Sequence, residues 1–460
     1  MVRTLRFNRE IMDTLSTQQY SDLFLKHKDI FLGDEPKFLQ EIRIKAAEKL
    51  STQSFPAKKN ELYKYTFLEP YFNNGFKKNI IPKPITFDIC DMFRCDVPTL
   101  DTHLAIVLNG FYYDTKKLLI TLPNGIIYGS LAEAIKQYPA LVEAHLSKYI
   151  TTDDSYVTLN SAMARDGVFL YVPKNKSLDK PIQIINILLA DEELMVQPRN
   201  LFIMEQGSSA KIVICDHTLN DNKYLTNSAT EVYVASDANF ECFRMQNEHN
   251  EAVQVSHTFI HQEAGSNVRT NNVTLHGGVV RNNLYVNLAG EHCENTSLGL
   301  FLTDGTQQVD NYTFIDHATP NCNSNQLYKG ILDNKSTGSF TGKIMVRKDA
   351  QKTMAYQRNS NLLLTSDAHA NAKPQLEIYA DDVKCTHGAT IGQIDENALF
   401  YLRSRGISER ESRLLLMYAF AFEVIKQIQV EPLQIRIGDL VEKRLRGELS
   451  RCNNCAMYCK

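Results

Sequence analysis

Between Tyr156 and Val383 the chain loses helical periodicity almost completely, and short runs rich in Val, Ile, Thr, Phe and Tyr alternate with clusters of Asn, Asp, Gly and Ser. Such runs suit pleated, half-buried strands, and the polar clusters suit the turns between them. A faint repeat runs through the block: Gly207-Ser208-Ser209-Ala210, Asp237-Ala238-Asn239-Phe240, Gly265-Ser266-Asn267-Val268 and Gly290-Glu291-His292-Cys293 start 30, 28 and 25 residues apart. A turn followed by a strand at this period suits a β-solenoid, in which one coil buries its apolar face only by stacking on the next. A β-sandwich has the same strand and turn composition, so the repeat by itself leaves both architectures open.

At 460 residues the chain exceeds the size at which one hydrophobic core stops growing, so two or three structural units are expected. The boundaries fall at 1–150 for an N-terminal helical and connecting region, 151–385 for the β core and 386–460 for a C-terminal helical domain. In the first unit, Phe38, Leu39, Ile42 and Ala46 form an apolar stripe at helical spacing, with Asp34 as N-cap and Pro36 in the first turn. Residues 101–150 read as a strand at Leu104 to Leu108, a turn at Asn109-Gly110 and a helix from about Ser130 to Ser147. After Cys385, Asp395 caps a helix that Gly406 ends, and Ser408-Glu409-Arg410-Glu411 has the form of a capping box. The helix it opens is apolar all round from Leu414 to Phe422, as expected of a helix covered on several sides. Beyond Pro432 an amphipathic stretch, Ile437 to Leu449, leads to a cysteine-rich tail.

The formal net charge of -3 gives no footprint for nucleic acid, which calls for a basic excess. The N-terminus lacks the apolar run of a secretory signal, and no segment approaches the ~18 apolar residues of a membrane span. The expectation is therefore a cytoplasmic chain with no membrane or nucleic-acid partner, its ten cysteines held as reduced thiols.

Cys385-Thr386-His387 is the leading site candidate. Leu376, Ile378 and Ala380 alternate with Glu377 and Tyr379, so Cys385 and His387 share a face if that strand runs on. Two ligands make half a site, and a metal or cluster there needs the rest from a second chain or a distant part of this one. On the residues alone, a buried cysteine beside a satisfied histidine is the commoner outcome. Cys452, Cys455 and Cys459 could form three legs of a zinc or iron-sulfur site, with no fourth ligand nearby; ordinary reduced thiols on a chain end are the competing reading.

Gly338 to Lys343, Gly-Ser-Phe-Thr-Gly-Lys, fails as a phosphate-binding loop: the glycines are one residue too close, and Ile344 stands where a magnesium-binding hydroxyl belongs. Asp333 and Asp381-Asp382 raise the alternative of a carbohydrate-active β-helix enzyme working through paired carboxylates. Acidic residues at strand ends are more often solvated turn residues, and such enzymes are commonly secreted.

Several longer stretches carry a resemblance: Asp166-Gly167-Val168, Val172-Pro173, Pro198-Arg199-Asn200-Leu201, Asp310-Asn311, His317, Tyr328-Lys329-Gly330, Phe340-Thr341-Gly342-Lys343, Ala350-Gln351-Lys352-Thr353, Asn361 to Leu364 and Leu376 to Gly392. Together they span most of residues 160–392, and in them the chain resembles the SufB/SufD family of iron-sulfur cluster assembly proteins. Lys59-Asn60-Glu61-Leu62-Tyr63-Lys64 resembles a further family pattern, with Tyr63 where tryptophan is usual. Gly388 after His387 follows the SufD branch, whereas SufB paralogues typically carry an acidic residue there.

The resemblance implies a mainly β fold, a right-handed parallel β-helix core flanked by N-terminal and C-terminal helical regions. It implies a non-enzymatic scaffold subunit of the SUF complex, working with SufB and with SufC as the ATPase, and a homodimer in isolation stays open. It places His387, supported by Cys385, at the contact with SufB, where a nascent cluster would be held, and implies no tightly bound cofactor of the chain's own. With SufC as partner, the all-round apolar helix becomes a candidate docking element through Leu415 and Phe422.

Overall fold

A computed structural model describes residues 16–82, 100–114 and 117–449. Its centre is a β-solenoid of about eight turns. Successive strands go to alternate sheets. One sheet takes Ser209–Thr218, Asn239–Asn247, Asn267–His276, Glu294–Thr303, Asn323–Leu332, Met354–Leu363 and Lys384–Gly392, and the other takes the strands between them, from Tyr224–Val234 to His369–Ile378. Pairing between these coils is parallel and in register, so interior residues stack in ladders. Val286, Ile315, Ile344 and Leu376, for example, make one interior ladder through four coils. The repeating turns turn the chain with positive φ: Gly207 (64°), Asp237 (60°), Gly265 (70°) and His292 (59°). Gly and Asp are among the residues that tolerate this conformation, which explains the composition of the repeat.

The interior therefore selects between the two architectures that the repeat left open: the core is a parallel β-helix with flanking helices. Several local expectations need correction. Residues Ser155–Met163 form a helix that is buried nearly all round and so shows no apolar stripe; the β block starts later than Tyr156. The helix expected over Ser130 to Ser147 is two, Leu131–Gln137 and Pro139–His145, because Pro139 cannot continue the first and opens the second; Ser130 is the N-cap, its hydroxyl accepting from Glu133 N–H. Pro36, not Asp34, occupies the N-cap of Lys37–Leu50, and no side chain caps that end. Asp395 and Ser408 do cap Glu396–Ser404 and Glu409–Ile425 as read, and Gly406 has a φ of 86°.

The N-terminal helices are fastened to the solenoid by aromatic packing and by buried charge. Phe55 stacks on Tyr156 at 4.8 Å, and Phe72 packs on the same ring at 4.5 Å. Arg281, a solenoid residue 1 % exposed, pairs with buried Asp310, donates to the Leu62 carbonyl (2.8 Å) and lies 4.7 Å from the centre of the Tyr63 ring. Tyr63 donates to Asp154 (2.5 Å), which faces His257 at 3.5 Å. Burial pushes the Asp154 carboxyl up, but the His257 and Tyr63 hydrogen bonds more than offset it and hold the group below the usual carboxylate range.

At the other end, Glu409–Ile425 lies across the outside of one sheet. Leu414, Met417, Ala421 and Val424 bury against Leu298, Leu300 and Leu327, while Glu423 pairs with Lys329 and Arg358 of the strands beneath. The last two strands, His369–Ile378 and Lys384–Gly392, pair on one side only among the described residues, so the solenoid ends in an open coil. None of the described helices is long and apolar enough to cross a membrane.

Candidate functional site in the terminal coil

The strand carrying Leu376 stops at Ile378. A turn through Ala380 to Asp382 hands the chain to the opposite sheet, and Cys385 and His387 belong to the new strand, Lys384–Gly392. They share a face all the same, because they are two apart on that strand. The face is the interior one: Cys385 is half-buried and packs against the apolar core, while His387, at the open end, is exposed. Burial pushes the Cys385 thiol above its ordinary range, so at neutral pH it is a protonated thiol rather than a thiolate.

Below His387 the register places Gln357, then Gln326, then Ser297, one on each earlier coil. All three are buried. Gln326 accepts from the Thr313 hydroxyl at 2.7 Å, but its Nε2 has no partner, and neither amide atom of Gln357 has one. The Gln357 side chain reaches across the interior to Gly342 on the facing sheet, where a Cβ would overlap its amide. This close approach gives the glycine of Phe340-Thr341-Gly342-Lys343 a physical reason. Gln357 was not legible in the sequence, since nothing local marks an amide thirty residues upstream as the neighbour of His387.

Tyr356, Gln357, Arg358, Thr386, His387 and Gly388 border a groove of about 460 Å³ whose other wall is Glu423, Lys426 and Gln427. Leu415 and Phe422 of the same helix are 44 % and 41 % exposed. Cys452, Cys455 and Cys459 fall outside the described residues. Among the described residues no three His, Cys, Asp or Glu side chains come together as a metal site, and Cys215, Cys242, Cys293, Cys322 and Cys385 form no disulfide. Cys385 and His387 therefore offer two donors, a thiol and an imidazole, at an open strand edge.

The segment Gly338 to Lys343 lies inside the strand Thr337–Val346, not in a loop that could wrap a phosphate. Asp333 and Asp381-Asp382 sit on different turns of the solenoid and form no pair. Nothing in the sequence hinted at a buried thiol pair: Cys293 and Cys322 lie on successive coils with their sulfurs 3.0 and 3.3 Å from the Gly290 carbonyl oxygen. Their mutual hydrogen bond raises the first thiol and lowers the second.

Comparison with known proteins agrees with this architecture over nearly the whole chain. Residues 187–420 match the model of the SufBD core domain of SUF system FeS cluster assembly, and residues 14–184 match that of the SufBD protein N-terminal region. An iron-sulfur cluster assembly SufBD family protein of Synechocystis is 30 % identical over 429 residues, covering 91 % of this chain and 94 % of the relative. The iron-sulfur cluster assembly protein SufD of Escherichia coli is 29 % identical over 87 % of this chain and 92 % of its own length. A chloroplastic protein of Arabidopsis thaliana, ABCI7, is 29 % identical over 85 % of this chain and 82 % of its own. With both parts of the family model matched in order and a β-helix between helical ends, the chain belongs to the SufBD family of iron-sulfur cluster assembly proteins.

Proposed function

We propose that this chain is a SufD-type scaffold subunit, without catalytic activity of its own, that supports cluster formation together with a SufB-type chain and the ATPase SufC. The observation that carries the reading is the incomplete donor set at the open coil. Cys385 and His387 face the interior at a strand edge, and no third donor joins them among the described residues. Such a site is completed only when another chain brings its own donors to the edge.

A neutral imidazole can ligate iron or take up a proton, so in this reading His387 takes the leading role and Cys385 a supporting one. The nascent cluster is cargo rather than a resident cofactor. No phosphate-binding loop is present in the described residues that were candidates for one, which supports leaving nucleotide chemistry to SufC. The exposed flank of the helix Glu409–Ile425 is the docking element for SufC in this reading.

The test is His387→Ala, expressed as the sole SufD-type chain in cells. Assembly with SufB and SufC should persist, because His387 is exposed and contributes little to the fold, while cluster formation should fall sharply. Full cluster formation at normal expression would refute the role of His387.

A further inference from the structure

The buried amides beneath His387 are the least explained feature of the interior. Gln357 is 3 % exposed and both its amide atoms lack partners, as does Nε2 of Gln326, which is 1 % exposed. Leaving such groups unpaired is costly, so a buried amide stack calls for a reason. Stacked side chains on neighbouring parallel strands stand about 4.8 Å apart, within reach of one another's hydrogen bonds.

We propose that Gln357 is a positioning residue for His387: its amide oxygen accepts the inward imidazole N–H, which leaves the other ring nitrogen unprotonated and aimed out of the open coil. The proposal rests on His387 being the donor at this site. Three observations support it. The register makes Gln357 the neighbour of His387. Gly342 leaves the space in which the Gln357 amide lies. The row below sets a polarity, because the Thr313 hydroxyl donates to Gln326 Oε1 and so fixes which end of that amide is the carbonyl. These amide hydrogens are open in the structure; with a turn of the two side chains, Gln357 Nε2–H would go to the second lone pair of that oxygen and Gln326 Nε2–H to Ser297 Oγ, which itself donates to Asn295. With this directionality, every amide in the row points its oxygen toward the open end, and the last acceptor meets His387.

A histidine that binds a metal through one nitrogen commonly gives its other N–H to a carbonyl or carboxylate, which fixes both tautomer and ring angle. A terminal amide in a buried row supplies such an acceptor without adding charge.

The experiment is long-range proton–nitrogen NMR on the full chain with labelled histidine, at about pH 8.5, well above the ordinary imidazole pKa of about 6.5. His387→Gln identifies the His387 signals by their loss. The native chain should show one dominant tautomer at this residue. Gln357→Leu, similar in size and unable to accept a hydrogen bond, should convert it to a mixture, and Gly342→Ala, which pushes the amide aside without removing it, should do the same. In cells Gln357→Leu should lower cluster content by about tenfold at normal protein level, the scale on which such supporting partners act. An unchanged tautomer distribution in either folded variant would overturn the proposal. A shifted tautomer together with full cluster formation in His387→Ala would leave the positioning intact and instead sink the reading of His387 as the donor, so the two failures are told apart.

Discussion

Replacing Arg281 by Met should release the N-terminal region from the solenoid. The side chain is 1 % exposed, pairs with Asp310, donates to Asn283 Oδ1 at 2.9 Å and to the Leu62 carbonyl at 2.8 Å, and sits over the Tyr63 and Tyr312 rings at 4.7 and 5.5 Å. Methionine keeps much of the apolar packing but leaves Asp310, itself fully buried, with Thr66 Oγ1 at 2.8 Å as its remaining side-chain donor from the N-terminal region. Removing one partner of a buried ion pair costs about 3–5 kcal/mol, and the loss of two cation–ring contacts adds about 1 kcal/mol or more. Because the chain has several units, a global unfolding midpoint is the wrong readout; native-state hydrogen exchange over Asn60 to Thr66 is the right one. A loss of about 4 kcal/mol corresponds to about a thousandfold drop in protection there, limited by the opening free energy of the segment in the native chain. The double variant Arg281→Met with Asp310→Leu should recover much of that loss, since an apolar replacement of both partners is often neutral. A fall of under about tenfold in the single variant, or no recovery in the double, would show that the clamp lies elsewhere.

Two further outcomes follow from particular side chains. His317 is buried, with Nε2 2.8 Å from Ser324 Oγ, and burial pushes its pKa down from 6.5 to about 4. The unfolded chain therefore binds a proton below about 6.5 that the folded chain refuses until about 4; stability from this residue is full above 6.5 and is lost as pH falls through that window, with a slope of up to about 1.4 kcal/mol per pH unit. His317→Gln should flatten denaturation midpoints between pH 4 and 6.5, and an unaltered profile would contradict the assignment. Leu415→Glu with Phe422→Glu changes two side chains that are 44 % and 41 % exposed, so the fold should stand while affinity for SufC, measured by calorimetry, drops by tenfold or more; unchanged affinity would remove this flank from the docking surface.

The parts of the fold that were legible in the sequence are those whose cause is local. Asp395 and Ser408 announce helix starts by their own hydrogen bonds to Ala398 N–H and Glu411 N–H, and Asn109-Gly110 announces its turn by the positive φ that both adopt, 50° and 85°. Strand composition and the turn repeat likewise needed no distant partner. The misses have different causes. The helix Ser155–Met163 is buried on every side, so its residues carry no stripe, and the break at Pro139 was smoothed over by good helix formers on both sides.

Within the site, Cys385 and His387 could be singled out, but their setting could not, because a solenoid makes neighbours of residues one coil apart. The scattered family motifs take on a simpler meaning once coils are stacked. Gly342 leaves space for the amide of Gln357, Gly330 for the Phe301 ring, and Asp310 holds the arginine that meets the Tyr63 segment. Each motif thus marks a place where one coil or one region must fit another, and the partner lies too far along the chain for any window of sequence to show it. The interior row from Ser297 to His387 is the limiting case: it is continuous in space and interrupted in sequence at every step, so its chemistry exists only in the folded register. A coil inserted between the strands Met354–Leu363 and Lys384–Gly392 would leave each short motif intact and still carry His387 away from Gln357. Register between coils, more than the identity of any single residue, is what this fold contributes to the site.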